Sequence, residues 1–333
     1  MAARKGLRSA LVVLLALVLS VLVATRVDLT ATAVDDLVTR ARPGVVLLAF
    51  AMMSSGLVFL SLRWRALMPD RRRVRLFPLT AIYSIGMLLN YALPGPVGEL
   101  VAATMAGRRF GMSAEMAFAA SVHARFIGLS VAGIVAGVLY CATDLPVGPD
   151  IGRWIGFATA AITCGAVFLG VLSARPATLR RVAEGMVGRV RRLAPLHASA
   201  LRFAGALEAM GRLGPGAWIA GVGWALLGHA CVVSGIVCVA TGLGADPNPA
   251  GVAFTYAMST AGAVVLFAFP GSQLGWDAMF ATLLVTTAGL TLPDSLAVTV
   301  LVRAQQILVV LAGALALLRH VTAHGDDGVP PVH

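Results

Sequence analysis

The sequence predicts an all-α polytopic membrane protein with about six full spans plus two broken, re-entrant helical hairpins in an inverted repeat. Three observations predict it. The chain is 59% apolar and 12% charged, with a mean hydropathy of +0.88. Soluble domains lie nearer ~45–50% apolar and ~25% charged, so the excess needs lipid as its solvent. The 26 basic residues, against 15 acidic, fall in short blocks between apolar runs, as the positive-inside bias requires. Finally, one order of residues occurs twice. Pro94, Gly95, Gly98 and Glu99 are followed by Gly111 and Arg125, 12 and 26 residues after the acid. Pro270, Gly271, Gly275 and Asp277 are followed by Gly289 and Arg303 at the same intervals, 178 residues later.

Each element follows from length and charge. Leu7–Thr25 has a basic start and is long enough to span, so it reads as an uncleaved first helix. Arg26–Pro43 is a mixed-charge connection with a short surface helix at Val34–Val38, and Gly44–Leu62 is the second span. Six arginines between Arg63 and Arg75 belong to the cytoplasm. Pro78–Leu93 has about sixteen residues and Val97–Ala106 fewer. At about 1.5 Å per residue neither arm crosses a core of about 30 Å. The two therefore form a hairpin that enters from the cytoplasm and returns to Arg108-Arg109.

Ser113 caps a span running to about Tyr140, Cys141–Gly152 lies outside, and Arg153–Leu172 returns. Arg175–Arg212 is the longest polar segment, with eight arginines against Glu184 and Glu208. The spacing of Arg180, Arg181, Val182, Met186, Val187, Val190 and Leu193 predicts an amphipathic surface helix. Its arginines either bind anionic lipid or simply obey the charge bias. Gly216–Thr241 spans outward and Gly242–Ala250 turns outside. Gly251–Phe269 dips back, Trp276–Leu290 returns, Ser295–Leu318 is the last span, and His320–His333 is a polar tail.

This layout places twenty basic residues on the cytoplasmic side, four outside (Arg26, Arg40, Arg42, Arg153) and two within spans (Arg125, Arg303). Both termini are then cytoplasmic, and the protein sits in the cytoplasmic membrane as one domain. The repeat units, about 78–140 and 251–318, enter from opposite faces and so run antiparallel, an architecture common among transporters.

Glu99, Asp277, Arg125 and Arg303 fall at membrane depth in this layout, where each costs about 2.5–3.5 kcal/mol unless paired or facing water. Each acid is expected in the first turn after its breaker, where the helix dipole favours a carboxylate. Two helix N-termini and two arginines make a donor-rich pocket suited to a phosphate or carboxylate head group. The other reading, two structural pairs holding each hairpin to its long helix, stands beside it. Asn90, Ser121, Gln273, Gln305 and Gln306 add polar groups at that level, singly more often interhelical glue than ligand contacts. His123 and His229 read as hydrogen-bonded core histidines before proton relays. Gly128, Gly133 and Gly137 read as close-packing positions. Cys141, Cys164, Cys231 and Cys238 form no CxxC pair and act as small hydrophobes.

No HExxH, Walker loop, zinc-ligand spacing or G-x-S-x-G elbow is present. The expectation is therefore a non-enzymatic protein with no cofactor, no metal and no nucleic-acid partner.

At the two motifs the chain resembles the membrane region of lysylphosphatidylglycerol synthases and their stand-alone, flippase-like relatives. The matching residues are Pro94, Gly98, Glu99, Gly111, Ser113 and Arg125, then Pro270, Gly275, Asp277 and Arg303. The likeness covers roughly residues 5–320. It departs at Val97, which replaces a glycine, at Ala102, where an arginine often stands, and at Asp277, which replaces a Glu. The resemblance implies a protein that moves a lipid head group between leaflets, without the synthases' soluble aminoacyl-transfer domain. The substrate would be an anionic or zwitterionic phospholipid, an aminoacylated one, or a polyprenyl-phosphate-linked sugar. Two rivals are a non-transporting scaffold for a glycosyltransferase or lipid-modifying enzyme, and a membrane-embedded enzyme using Glu99 or Asp277 as acid/base.

Overall fold

The computed structural model describes residues 39–92, 97–175, 194–266 and 272–325, with Arg181 and Gly185. The expected span Leu7–Thr25, the surface helix Val34–Val38 and the breakers Pro94, Gly95, Pro270 and Gly271 lie outside these residues. So do nearly all of the amphipathic stretch from Arg180 to Leu193 and the tail from 326 onward.

Ten helices make up the described chain: α1 Pro43–Ala66, α2 Leu76–Ala92, α3 Val97–Phe110, α4 Ala114–Ala142, α5 Pro149–Ala174, α6 Ala194–Gly211, α7 Pro215–Gly242, α8 Pro249–Leu266, α9 Ser272–Ala288 and α10 Leu292–Gly325. Four of them hold a segment long and apolar enough to cross a membrane: Pro43–Ala66, Ala114–Ala142, Pro215–Gly242 and Leu292–Gly313. The chain is thus a multi-pass α-helical membrane protein. These four coincide with expected spans, and α5 encloses the expected return Arg153–Leu172.

Local chemistry sets the boundaries. Pro43 and Pro215 open α1 and α7, where a missing N–H costs nothing. The α3–α4 turn needs Gly111 at φ +71°, and Ser113 then caps α4 by accepting from the Met116 N–H. The α9–α10 turn repeats this with Gly289 at φ +72° and Thr291 accepting from the Asp294 N–H.

The helices α1 and α7 form the central pair, and they run antiparallel. Gly242 faces Val45 and Val46, Gly235 faces Ala49 and Met53, Gly228 faces Phe59, and Gly221 faces Leu67. One glycine every seven residues keeps a single seam free of side chains, so the two backbones approach closely. At the end of the seam the Arg42 N–H donates to the Gly242 carbonyl at 2.6 Å.

Around this pair the contacts repeat. Helix α2 packs on α1 as α8 packs on α7; α2 packs on α3 as α8 on α9; α3 packs on α4 as α9 on α10. The units also exchange contacts, because α2 packs on α10 while α8 packs on α4. The helices α5 and α6 stand outside this scheme and pack on α4.

Two expectations need correction. The second span does not end at Leu62. Helix α1 continues through Arg63, Trp64 and Arg65, and the Trp64 indole N–H donates to the Ala117 carbonyl at 3.0 Å, pinning the helix end against α4. Nor is the Arg175–Arg212 segment only a surface element. Its described helix, α6, buries Ala206, Leu207 and Met210 in a core shared with α4. Leu207 and Met210 lie one turn apart on one face, which the arginine count concealed.

Candidate functional site

The first hairpin is held by contact between its arms. The Gly98 N–H donates to the Asn90 side-chain oxygen at 2.9 Å, and a Cβ on Gly98 would lie 2.1 Å from the Gly86 carbonyl oxygen. Only a glycine fits there. Glu99, in the first turn of α3, thereby faces α4, and the Arg125 guanidinium meets its carboxylate at 2.5 Å. Glu99 keeps 16% and Arg125 38% of its side-chain surface exposed.

The second set is held differently. Helix α9 begins at Ser272, so Asp277 lies in its second turn and not its first. That corrects the expectation for this acid: dipole stabilisation fades beyond the first turn, and Asp277 depends on its cation. Arg303 supplies it twice, through Nε at 3.0 Å and Nη2 at 2.5 Å, both to Oδ1. Its Nη1 donates to the Gln306 side chain at 2.7 Å, and its guanidinium lies 5.0 Å from the centre of the Trp276 ring. Gly275 is exposed.

Between α1, α7, α8 and α10 lies a cavity of about 200 Å³. Gln305 and Gln306 line it from α10, His229 from α7, Tyr256 from α8 and Arg63 from α1. None of Glu99, Arg125, Asp277 or Arg303 lines it directly; Gln306, bonded to Arg303, and Trp276, over which Arg303 lies, link it to the second set. Gln305 donates to Ser54 at 3.0 Å, tying α10 to α1.

His229 joins three helices. Its Nε2 lies 3.0 Å from the Gly128 carbonyl, which accepts only, so Nε2 carries the proton. Nδ1, 3.1 Å from the Tyr256 hydroxyl, then accepts from it. His123 is likewise bonded, to the Ala119 carbonyl at 2.8 Å and to Ser173 at 3.3 Å. Of the three glycines read as packing positions, Gly133 admits Thr159, and Gly137 has nothing within 4 Å of a Cβ. Gly128 instead admits the Arg63 guanidinium, which leaves no room for a Cβ.

Arg63 is the residue that sequence reasoning missed. Grouped with the cytoplasmic arginines, it is instead 6% exposed at the cavity wall. Its place beside a tryptophan at the end of an apolar run was the available signal. The side chain of Gln273 lies outside the described residues; Ser121 is half-buried. Among the described residues no group of His, Cys, Asp or Glu side chains is placed to hold a metal ion.

A family model described as the lysylphosphatidylglycerol synthase TM region matches residues 9–313. No curated protein and no solved structure matches the chain.

Proposed function

The chain belongs to the lysylphosphatidylglycerol synthase TM-region family, and we propose that it moves a phosphate-bearing lipid head group between the leaflets of the cytoplasmic membrane. The observation that carries this reading is the paired packing of two four-helix units about an antiparallel central pair. If α1 corresponds to α7, and α2, α3 and α4 to α8, α9 and α10, antiparallel α1 and α7 make the units an inverted repeat. Two near-equivalent halves of opposite orientation each open to one face, which is the basis of alternating access.

The end-to-end contacts support the orientation. Arg42 with Gly242, Asn248 with Ala288, and Arg40 with Asp294 join segments assigned to the outer face. Trp64 with Ala117, and Glu115 with Arg202, join segments assigned to the cytoplasm with both termini. Each unit holds its half-buried arginine on an acid, Arg125 on Glu99 and Arg303 on Asp277. Arginine binds carboxylate and phosphate through the same fork of donors, so exchange of one partner for the other needs no new chemistry. The reading involves no catalysis and no cofactor.

Purified protein in liposomes, with fluorescent phosphatidylglycerol in one leaflet, tests it. Exchange between leaflets is expected, and its loss in Arg125→Ala and Arg303→Ala proteins that remain folded. Normal movement in both variants removes the arginines from the mechanism. Absence of exchange in the unaltered protein favours a scaffold for a partner enzyme, and a new lipid product marks an enzyme.

A further inference from the structure

We propose that Arg63 takes the phosphate of that head group, inside the cavity between α1, α7, α8 and α10. The inference rests on the lipid-moving reading and adds to it the residue and the chemistry of recognition.

Arg63 is 6% exposed, and its Nε is buried with no hydrogen-bond partner among the described residues. It takes part in none of the ion pairs found among them. The other two deep arginines differ: Arg125 holds Glu99 and Arg303 holds Asp277. A guanidinium withdrawn from water without an acid is a burden on the fold. It persists where a bound anion supplies the missing charge.

The surroundings of Arg63 favour an anion. Tyr83, Tyr256, Arg125 and Glu99 lie within electrostatic reach. Two of these are phenols and the other two are an ion pair, so one positive charge is left over. Two polar groups near it already have partners, since the Gly128 carbonyl accepts from His229 and the Tyr256 hydroxyl donates to the same ring. The guanidinium is thus the strong donor left at the wall. Its planar fork of N–H groups matches two phosphate oxygens at once. Most of the remaining lining is apolar, including Met53, Leu60, Trp224 and Val302, and suits the glycerol and upper acyl carbons behind a phosphate. A cavity of about 200 Å³ fits a small head group in preference to a long glycan.

Thermal unfolding of the full chain in detergent, titrated with dihexanoyl phosphatidylglycerol, tests the proposal. The lipid is expected to raise the Tm of the unaltered protein. Arg63→Gln should weaken the apparent affinity at least tenfold, with Arg63→Lys between the two. Dihexanoylglycerol, which lacks the phosphate, should act alike on all three. Without lipid, Arg63→Gln should melt no lower than the parent, because it removes an unpaired charge. Unchanged lipid affinity in Arg63→Gln overturns the proposal, and so does a large drop in its lipid-free Tm, which would mark a structural strut.

Glycerol 3-phosphate identifies the source of the anion. Arg63-dependent stabilisation by it equal to the lipid's assigns the site to a soluble phosphate, and stabilisation by the lipid alone assigns it to a head group. Arg63-dependent binding without leaflet exchange in liposomes sinks the transport reading and leaves the phosphate site standing. Leaflet exchange with Arg63→Gln binding lipid as the parent does has the opposite consequence.

Discussion

Glu99 and Arg125 stand 26 residues apart, as do Asp277 and Arg303, yet the two pairs stand in different surroundings. Arg303 gives Asp277 two contacts, bonds Gln306 with a third nitrogen and lies over Trp276, with 18% of its side chain exposed. Arg125 has 38% exposed, its Nη1 on Glu99, and a third charge, Arg63, within electrostatic reach. The second pair is joined by a neutral amide, Gln306, that also lines the cavity, while the first belongs to a cluster of two cations and one anion. Equal spacing therefore fixes where the charges stand, not how much freedom each has.

Removing the acids tests that contrast most directly. Asp277→Asn leaves Arg303, with 18% of its side chain exposed, beside a neutral amide, and the loss should fall between the ~1 kcal/mol of an exposed pair and the ~3–5 kcal/mol of a fully buried one. Glu99→Gln leaves Arg125, with 38% of its side chain exposed, better able to hydrate, and the loss should be the smaller of the two, with the contrast reduced by the repulsion from Arg63 that Glu99 no longer offsets. Thermal unfolding in detergent should rank Asp277→Asn below Glu99→Gln. Equal losses would mean that the two pairs do the same job.

The hairpins differ in a second way. The first is tight near its tip, where Gly98 presses on the Gly86 carbonyl and on Asn90. The second is tight near its open end, where a Cβ on Gly251 would lie 2.0 Å from the Thr287 carbonyl oxygen. Deeper in, Gly262 meets only the Met279 side chain, 3.1 Å from a Cβ. Backbone cannot step aside, but a methionine can. Gly98→Ala should therefore cost about 1–3 kcal/mol through overpacking, and Gly262→Ala under about 0.5 kcal/mol. Proteolysis at the hairpin arms and melting curves read both, and a costly Gly262→Ala would remove the contrast.

Much of this was legible in the residues. Apolar runs and arginine blocks located the described helices other than α6, with ends off by up to seven residues, because lipid permits few alternatives to a helix. The intervals from acid to glycine to arginine offered both ion pairs as one of two readings, since helix and turn lengths set those distances. The position of Arg63 was signalled only by its place beside Trp64 at the end of an apolar run. In a row with Arg65 and Arg71 it looks like any other solvated loop arginine, and only the packing of Trp64 against Ala117 turns it inward. The packed face of α6 and the seam at Gly221, Gly228, Gly235 and Gly242 were also missed. Both depend on which neighbour a face meets, and a single sequence does not state that.

The smallest expected effect bears on the repeat itself. Gly111 and Gly289 hold φ of +71° and +72°, and nothing lies within 4 Å of a Cβ on either. An alanine at either position therefore meets no neighbour, and its whole cost is the left-handed backbone, about 1 kcal/mol. The prediction is equality: Gly111→Ala and Gly289→Ala should lower stability by the same amount, and the double variant by the sum, since each turn is a separate local strain. Asparagine, which tolerates this conformation better, should recover part of the loss at both sites. A turn that instead tolerates alanine while its counterpart does not would show that the two units share an order of residues without sharing a backbone.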